Sequence, residues 1–253
     1  MKIEEVTLLA RHFVILSSSY TMGKRIAIHY TGDAAFDLGF LTRQIRKIKE
    51  ECGEDVSIST HFVEAETEEW KSLIKADSFF ENIEVVNIDE FIALINVDRE
   101  LCGMDVAKYI LSLIKCTHLK LEKLVYLCYA DYLQKTNKRL FQDFIYAFKL
   151  GPVVDTVYNR YKEYGSELID DQVINSEHIQ ELPSRSRILF AKDGEEKLKS
   201  IHQTILKYGK YSASKLAEIT HRQGTPWEVS YRQEESFVPI QDEVILKYHK
   251  NEE

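Results

Sequence analysis

At 253 residues the chain has room for one large domain or two modest ones, and its hydrophobic share of 44% against a charged share of 29% is that of a globular protein with a real core. No apolar run approaches the roughly 18 residues of a membrane span, and the start, Met1-Lys2-Ile3-Glu4-Glu5, lacks the basic-then-apolar order of a secretory leader, so a cytoplasmic location is expected. The net charge of −8 falls in residues 1–98, with 10 Lys and Arg against 18 Asp and Glu, while residues 99–253 carry 23 of each. Neither part has the positive excess that phosphate neutralisation requires, so direct nucleic-acid binding is not expected. Lys135, Lys138 and Arg139 form a local basic run in the neutral part, the pattern of a solvated helix end. Cys52, Cys102, Cys116 and Cys128 are irregularly spaced with no CxxC pair, which predicts reduced thiols and no metal set.

In chain order, Val6, Leu9, Ala10, Phe13 and Leu16 have near-helical spacing and predict a first helix that stops at Ser17-Ser18-Ser19. Residues 24–30 alternate, with Ile26, Ile28 and Tyr30 on one face of a strand that ends at Thr31-Gly32-Asp33. A helix is expected over 35–51 from Phe36, Phe40, Leu41, Ile45 and Ile48, then a strand over 55–63 from Val56, Ile58, Thr60 and Phe62. Residues 67–74 predict a helix, 83–86 a short strand, and Asn87 with Glu90 a capped helix over 88–95. This order describes a small acidic α/β unit. Its strand-to-loop ends, Tyr30 to Asp33 and Glu64 to Glu66, hold no phosphate loop, nucleophile elbow or HExxH pattern. Asp33 with Asp37, and Glu64, Glu66 and Glu68, are read as acids near helix starts, and His29 as a partly buried polar residue.

Residues 96–104 mark the expected boundary, giving an α/β unit over 1–98 and a mostly helical domain over 99–253, an α+β chain. Asp105 is placed to cap a helix carrying Val106, Ile110, Leu113 and Ile114. Thr117 is placed to cap the next, whose stripe is Leu121, Leu124, Val125, Cys128 and Tyr132. Residues 141–150 are a strand or an extended loop with apolar residues on both sides, hence buried or pressed against a partner. Gly151-Pro152 is expected to hinge directly into a helix with Val154, Val157, Tyr158 and Tyr161, closed by Gly165. Asp170 to Arg187 is polar and irregular and predicts a surface loop. Beyond it, Leu198, Ile201, Ile205 and Tyr208 define a helix ended by Gly209, Ser212 caps another with Leu216, Ile219 and Thr220 inward, and a last helix ends near Tyr248. Thr220-His221 beside Trp227 has the residue types of a base and nucleophile without a third orienting group. A Trp pinned by Pro226 fits better as a plug anchoring its loop.

An ordered series of motifs over about 104–250 resembles the Panacea domain, the antitoxin SocA-like family, also called the phage-associated GepA-like family. The residues are Asp105 to Ile110, Leu119-Lys120-Leu121-Glu122-Lys123-Leu124-Val125-Tyr126 with Tyr129-Ala130, Ala147 to Val154, Val157-Tyr158 and Tyr164-Gly165. The series continues with Tyr208-Gly209, Ser212 to Leu216, Glu218 to His221, Gly224-Thr225-Pro226-Trp227 and Pro239-Ile240. Members often have Trp before the central Lys and Tyr after it, where this chain has Phe148 and Leu150. The resemblance implies an antitoxin, not an enzyme, that silences a co-expressed protein toxin by direct contact. The alternatives are an adaptor delivering the toxin to a cellular protease, and an N-terminal enzyme controlled by the helical domain. No cofactor, metal ligand, catalytic residue or membrane partner is expected, and a homo-oligomer is left open. The expected partner-binding residues are Tyr126, Tyr129, Phe148, Lys149, Gly151, Pro152, Tyr158 and Trp227, an aromatic platform beside a tight turn. The acidic 1–98 unit is expected to favour a toxin with a basic surface.

Overall fold

The computed structural model describes residues 9–35, 37–170, 181–235 and 237–250, in two compact units, Met1–Arg99 and Glu100–Glu253. The architecture is α+β.

The first unit runs β1 (Ala10–Ser19), β2 (Lys24–Thr31), α1 (Leu38–Cys52), β3 (Ser59–Ala65), α2 (Trp70–Ala76), β4 (Ile83–Val85) and α3 (Ile88–Arg99). Its sheet has the order β3-β1-β2-β4, with β1 antiparallel to both neighbours and β4 parallel to β2. The predicted first helix is therefore a strand; Val6 itself lies outside the described residues, as does Phe36. The reason is burial on both faces. His12-Phe13-Val14-Ile15-Leu16 are all buried, with Phe13 and Ile15 packed in the core of α1 and α3 and Val14 and Leu16 packed with Leu73 and Phe80 on the other side. Such a central strand is apolar at consecutive positions, so its spacing also satisfies a helical count.

The three glutamates singled out at the end of β3 and just beyond it are locally paired: Glu64 meets Arg11 at 3.1 Å, Glu66 meets Lys75 at 2.9 Å, and Glu68 accepts from Thr31 at 3.4 Å. Asp37 caps α1 through the Phe40 N–H, while the side chain of Asp33 lies outside the described residues. His29 is half-buried, 2.8 Å from His12 Nδ1 and edge-on to Trp70, and burial followed by the His12 charge lowers its pKa to about 4. Among the described residues no group of three or more potential ligands is placed to hold a metal ion.

The second unit contains α4 (Gly103–Leu113), α5 (His118–Thr136), β5 (Ile145–Phe148), β6 (Gly151–Val154), α6 (Asp155–Tyr161), α7 (Glu181–Leu189), α8 (Gly194–Tyr208), α9 (Ala213–His221), α10 (Pro226–Ser230) and α11 (Asp242–Tyr248). Helix α5 is its axis, capped by Thr117 through the Lys120 N–H and buried on every side, not on one stripe. A surrounding layer of α4, α6, α8, α9, α11 and β6 explains this, because a helix enclosed on all sides needs apolar groups all round. The cap of α4 is Cys102, and Asp105 is the third residue of the first turn, its carboxylate accepting from the Cys102 N–H at 3.0 Å. Part of the predicted 170–187 loop is helix α7; residues 171–180 lie outside the described set.

Gly151-Pro152 does not hinge two helices. These residues open β6, which pairs with β5 in a hairpin whose register runs from Ile145↔Val154 to Phe148↔Gly151 around Lys149-Leu150. Pro152 is tolerated there because β6 is an edge strand. On the far side of β5, the Ala147 N–H donates to Val238 O and the Ile240 N–H to Ile145 O, both at 2.8 Å, so residues 238–240 add a third short ribbon.

Candidate partner-binding surface

The hairpin is held from behind by a buried polar cluster. Lys123 projects from α5 with no exposed surface and donates from Nζ to Pro152 O at 2.9 Å; the adjacent Glu122 accepts from the Val154 N–H at 3.3 Å. Gly151, at φ 109°, lies between them and α9: a Cβ there would stand 2.7 Å from Lys123 Cε and 2.9 Å from His221 Nε2. His221 stacks on Trp227 with ring centroids 3.8 Å apart, and Trp227 stacks in turn on Tyr231 at 4.8 Å. The Trp227 indole N–H donates to Phe148 O at 2.7 Å, which ties α10 to the hairpin. This is the plug role expected of Trp227. The Thr220 hydroxyl donates to Ala217 O in its own helix, and no carboxylate is bonded to His221 among the described residues, so the pair is not arranged as base and nucleophile.

Burial drives Glu122 and Lys123 toward their uncharged forms: it raises the Glu122 carboxyl, opposed by the Lys123 charge, and lowers the Lys123 ammonium, opposed by Glu122. A carboxyl whose folded pKa exceeds its unfolded value stabilises the fold below the unfolded value, and loses that contribution as pH rises through the folded one. Glu122→Gln fixes the uncharged state. The variant should match wild type near pH 5 and exceed its stability by about 1–2 kcal/mol at about pH 8, read by urea titration at both pH values. Equal loss of stability at both would contradict this account of Glu122.

The outward face of the hairpin is aromatic. Phe144, Leu150 and Phe237 are 59%, 59% and 57% exposed, and Tyr146, Phe148 and Tyr158 are half-buried among them. Their rings form a continuous strip: Phe144 to Tyr146 at 6.5 Å, Tyr146 to Phe237 at 5.6 Å, Phe237 to Phe148 at 5.1 Å and Phe148 to Tyr158 at 5.2 Å. Cations border it. Lys149 is exposed at the turn, Lys162 Nζ lies 5.7 Å from the Tyr158 ring and the Arg139 guanidinium 6.0 Å from Phe144. Phe237 is held at φ 60°, a left-handed conformation that costs a non-glycine residue about 1 kcal/mol or more. Contiguous exposed apolar surface of this kind marks an interaction site more often than scattered side chains do.

The expected site residues divide. Phe148, Lys149 and Tyr158 lie together at the surface, with the half-buried Trp227 bonded to their strand. Tyr126 and Tyr129, at 2% and 0% exposure, are not surface anchors: both are walled in on α5, and the Tyr129 hydroxyl is engaged by Asp242 at 2.6 Å and Arg139 at 2.9 Å. Gly151 and Pro152 are likewise buried and act by shaping the turn. Sequence reasoning missed Phe144, Tyr146, Leu150 and Phe237 as surface. The alternation of 144, 146, 148 and 150 was the available signal for three of them; Phe237, more distant in the chain, had none.

Residues 121–228, from α5 through α10, match the family described as "Antitoxin SocA-like, Panacea domain". This segment, less than half of the chain, is similar to the SocA-like Panacea domain. Antitoxin SocA of Caulobacter vibrioides (strain NA1000 / CB15N) is 29% identical over 121 residues, covering 46% of this chain and 60% of that protein, so the match spans less than two thirds of the relative's length. No solved structure matches the chain. The matched Panacea segment contains Lys123, the hairpin, His221 and Trp227, and thus the polar cluster that sets the shape of the aromatic strip; Phe237 lies beyond it. No helix among the described residues is long and apolar enough to cross a membrane.

Proposed function

We propose that this protein is an antitoxin whose Panacea domain binds a protein toxin directly and covers its active surface with the aromatic face of the β5–β6 hairpin. The observation that carries the proposal is the continuous strip from Phe144 to Tyr158, rimmed by Lys149 and Lys162 and braced by a buried cluster. Affinity in such an interface comes from a few aromatic and cationic anchors in a well-packed centre. The similarity to Antitoxin SocA supports the toxin-binding role. In this reading residues 99–253 supply the binding domain, and the acidic residues 1–98 favour a toxin with a basic surface.

The test is co-expression of the full chain with the product of the neighbouring gene, in normal and protease-deficient cells. Neutralisation by binding predicts that the neighbour is lethal alone and harmless with this protein in both strains. Rescue confined to protease-proficient cells would replace direct blocking by delivery for degradation, and a neighbour harmless on its own would remove it as the toxin.

A further inference from the structure

Away from the hairpin, helix ends of the second unit enclose a cavity of about 220 Å³. Tyr126 of α5, Tyr208 at the end of α8 and His249 just past α11 line it, with Leu127, Ile219 and Pro226 among its apolar walls. Tyr126 and Tyr208 are 2% and 1% exposed, yet neither hydroxyl has a hydrogen-bond partner among the described residues. Buried tyrosines ordinarily place that group on a protein acceptor or donor, so two such hydroxyls on one cavity point to a partner from outside the chain.

The polar groups of the lining gather around Asp131. Its Oδ1 accepts from His249 Nε2 at 2.7 Å, its Oδ2 accepts from the Thr204 hydroxyl at 2.8 Å, and its charge acts on both phenols. Burial first, then that charge, raises both phenols, Tyr208 to about 12, so each keeps its proton at neutral pH and can donate it. A carboxylate only accepts, so His249 carries its proton on Nε2, and Nδ1 of the neutral ring, unbonded among the described residues, is an acceptor. A ligand anion would meet the Asp131 charge and the Nδ1 lone pair, whereas a ligand cation would meet Arg222 and Lys250, which also line the cavity. An uncharged group that both accepts and donates suits the lining best. A primary carboxamide has that inventory: a carbonyl oxygen whose lone pairs suit both phenols, and an N–H for Nδ1. As to size, a cavity of about 150 Å³ holds benzene, so this one takes a single ring bearing that group.

We propose that this cavity binds a small uncharged aromatic carboxamide. The Tyr126 and Tyr208 hydroxyls donate to its carbonyl oxygen, His249 Nδ1 accepts from its amide, and Leu127, Ile219 and Pro226 hold the ring. The site is separate from the aromatic strip and does not depend on the antitoxin reading.

The experiment is calorimetric titration of the full chain with benzamide, acetophenone and benzoate, three ligands of nearly one shape. Benzamide is expected to bind with Kd of about 0.1–1 mM. Acetophenone keeps the carbonyl and replaces the amide nitrogen by a methyl, which leaves Nδ1 unpaired and should weaken binding about tenfold. Benzoate loses the donor and adds a charge facing Asp131, and should bind at least tenfold more weakly than benzamide. Tyr126→Phe and Tyr208→Phe each remove only an unbonded hydroxyl, so the thermal midpoint should hold while benzamide binding weakens about fivefold. Because the phenols act on the carbonyl, acetophenone should lose the same factor, a pattern that a merely structural role of the tyrosines would not produce. The proposal is overturned if benzamide does not saturate below about 10 mM, if acetophenone or benzoate binds as tightly as benzamide, or if both phenylalanine variants bind benzamide as wild type does.

Discussion

Gly151→Ala is expected to destabilise the Glu100–Glu253 unit by about 3 kcal/mol or more, among the largest effects of a one-carbon change in this chain. Two costs add. The residue sits at φ 109°, where an L side chain is strained by about 1–3 kcal/mol. The new Cβ would also stand 2.7 Å from Lys123 Cε and 2.9 Å from both Lys123 Nζ and His221 Nε2. Neither neighbour can retreat freely, because Lys123 is buried and bonded to Pro152 O, and the His221 ring is stacked on Trp227. Gly165→Ala separates the two costs: φ there is 54°, but nothing lies within 4 Å of the added atom. Urea unfolding followed by far-ultraviolet circular dichroism should show Gly165→Ala losing about 1–2 kcal/mol and Gly151→Ala clearly more. Equal losses would mean that the packing of Lys123 and His221 around the turn is loose.

The second large effect concerns binding. The double variant Leu150→Asp, Phe237→Asp is expected to weaken the complex with the toxin about 100-fold or more while leaving the thermal midpoint within a few degrees of wild type. Both side chains are more than half exposed, so removing them empties no core, and Asp accepts the left-handed conformation at 237 more readily than Phe. Each change places a carboxylate inside an apolar strip that the partner must desolvate. Lys149→Ala, at the rim, should cost far less, because exposed charges contribute mainly to the rate of encounter. Surface plasmon resonance at matched ionic strength distinguishes the two variants; similar losses for both would shift the binding centre off the rings.

What could be read from the chain depended on whether a local pattern matched the depth of burial. The Thr117 cap, the α5 stripe and the Ser212 cap were legible because side chains four residues apart report one helical face and a hydroxyl before them reports its start. Strand β1 was not, since a central strand buried on both faces loses its alternation. The hairpin was hidden differently. Gly151-Pro152 announces a break, but the positive φ at Gly151 serves a strand pair, and its need for glycine comes from Lys123 and His221, each distant in sequence. The tyrosines of α5 were misplaced because a helix surrounded on all sides has no outward face to give them. Phe237 joins the strip only through the pairing of residues 238–240 with β5, which no local spacing encodes.

The central claim, that the aromatic face of the hairpin is the toxin-binding surface, is tested most directly by hydrogen exchange on the purified full chain alone and saturated with its purified toxin. The account predicts slowed exchange concentrated at residues 144–151 and around Phe237. A complex that leaves those amides unchanged and protects another surface, or no complex at all, would contradict it.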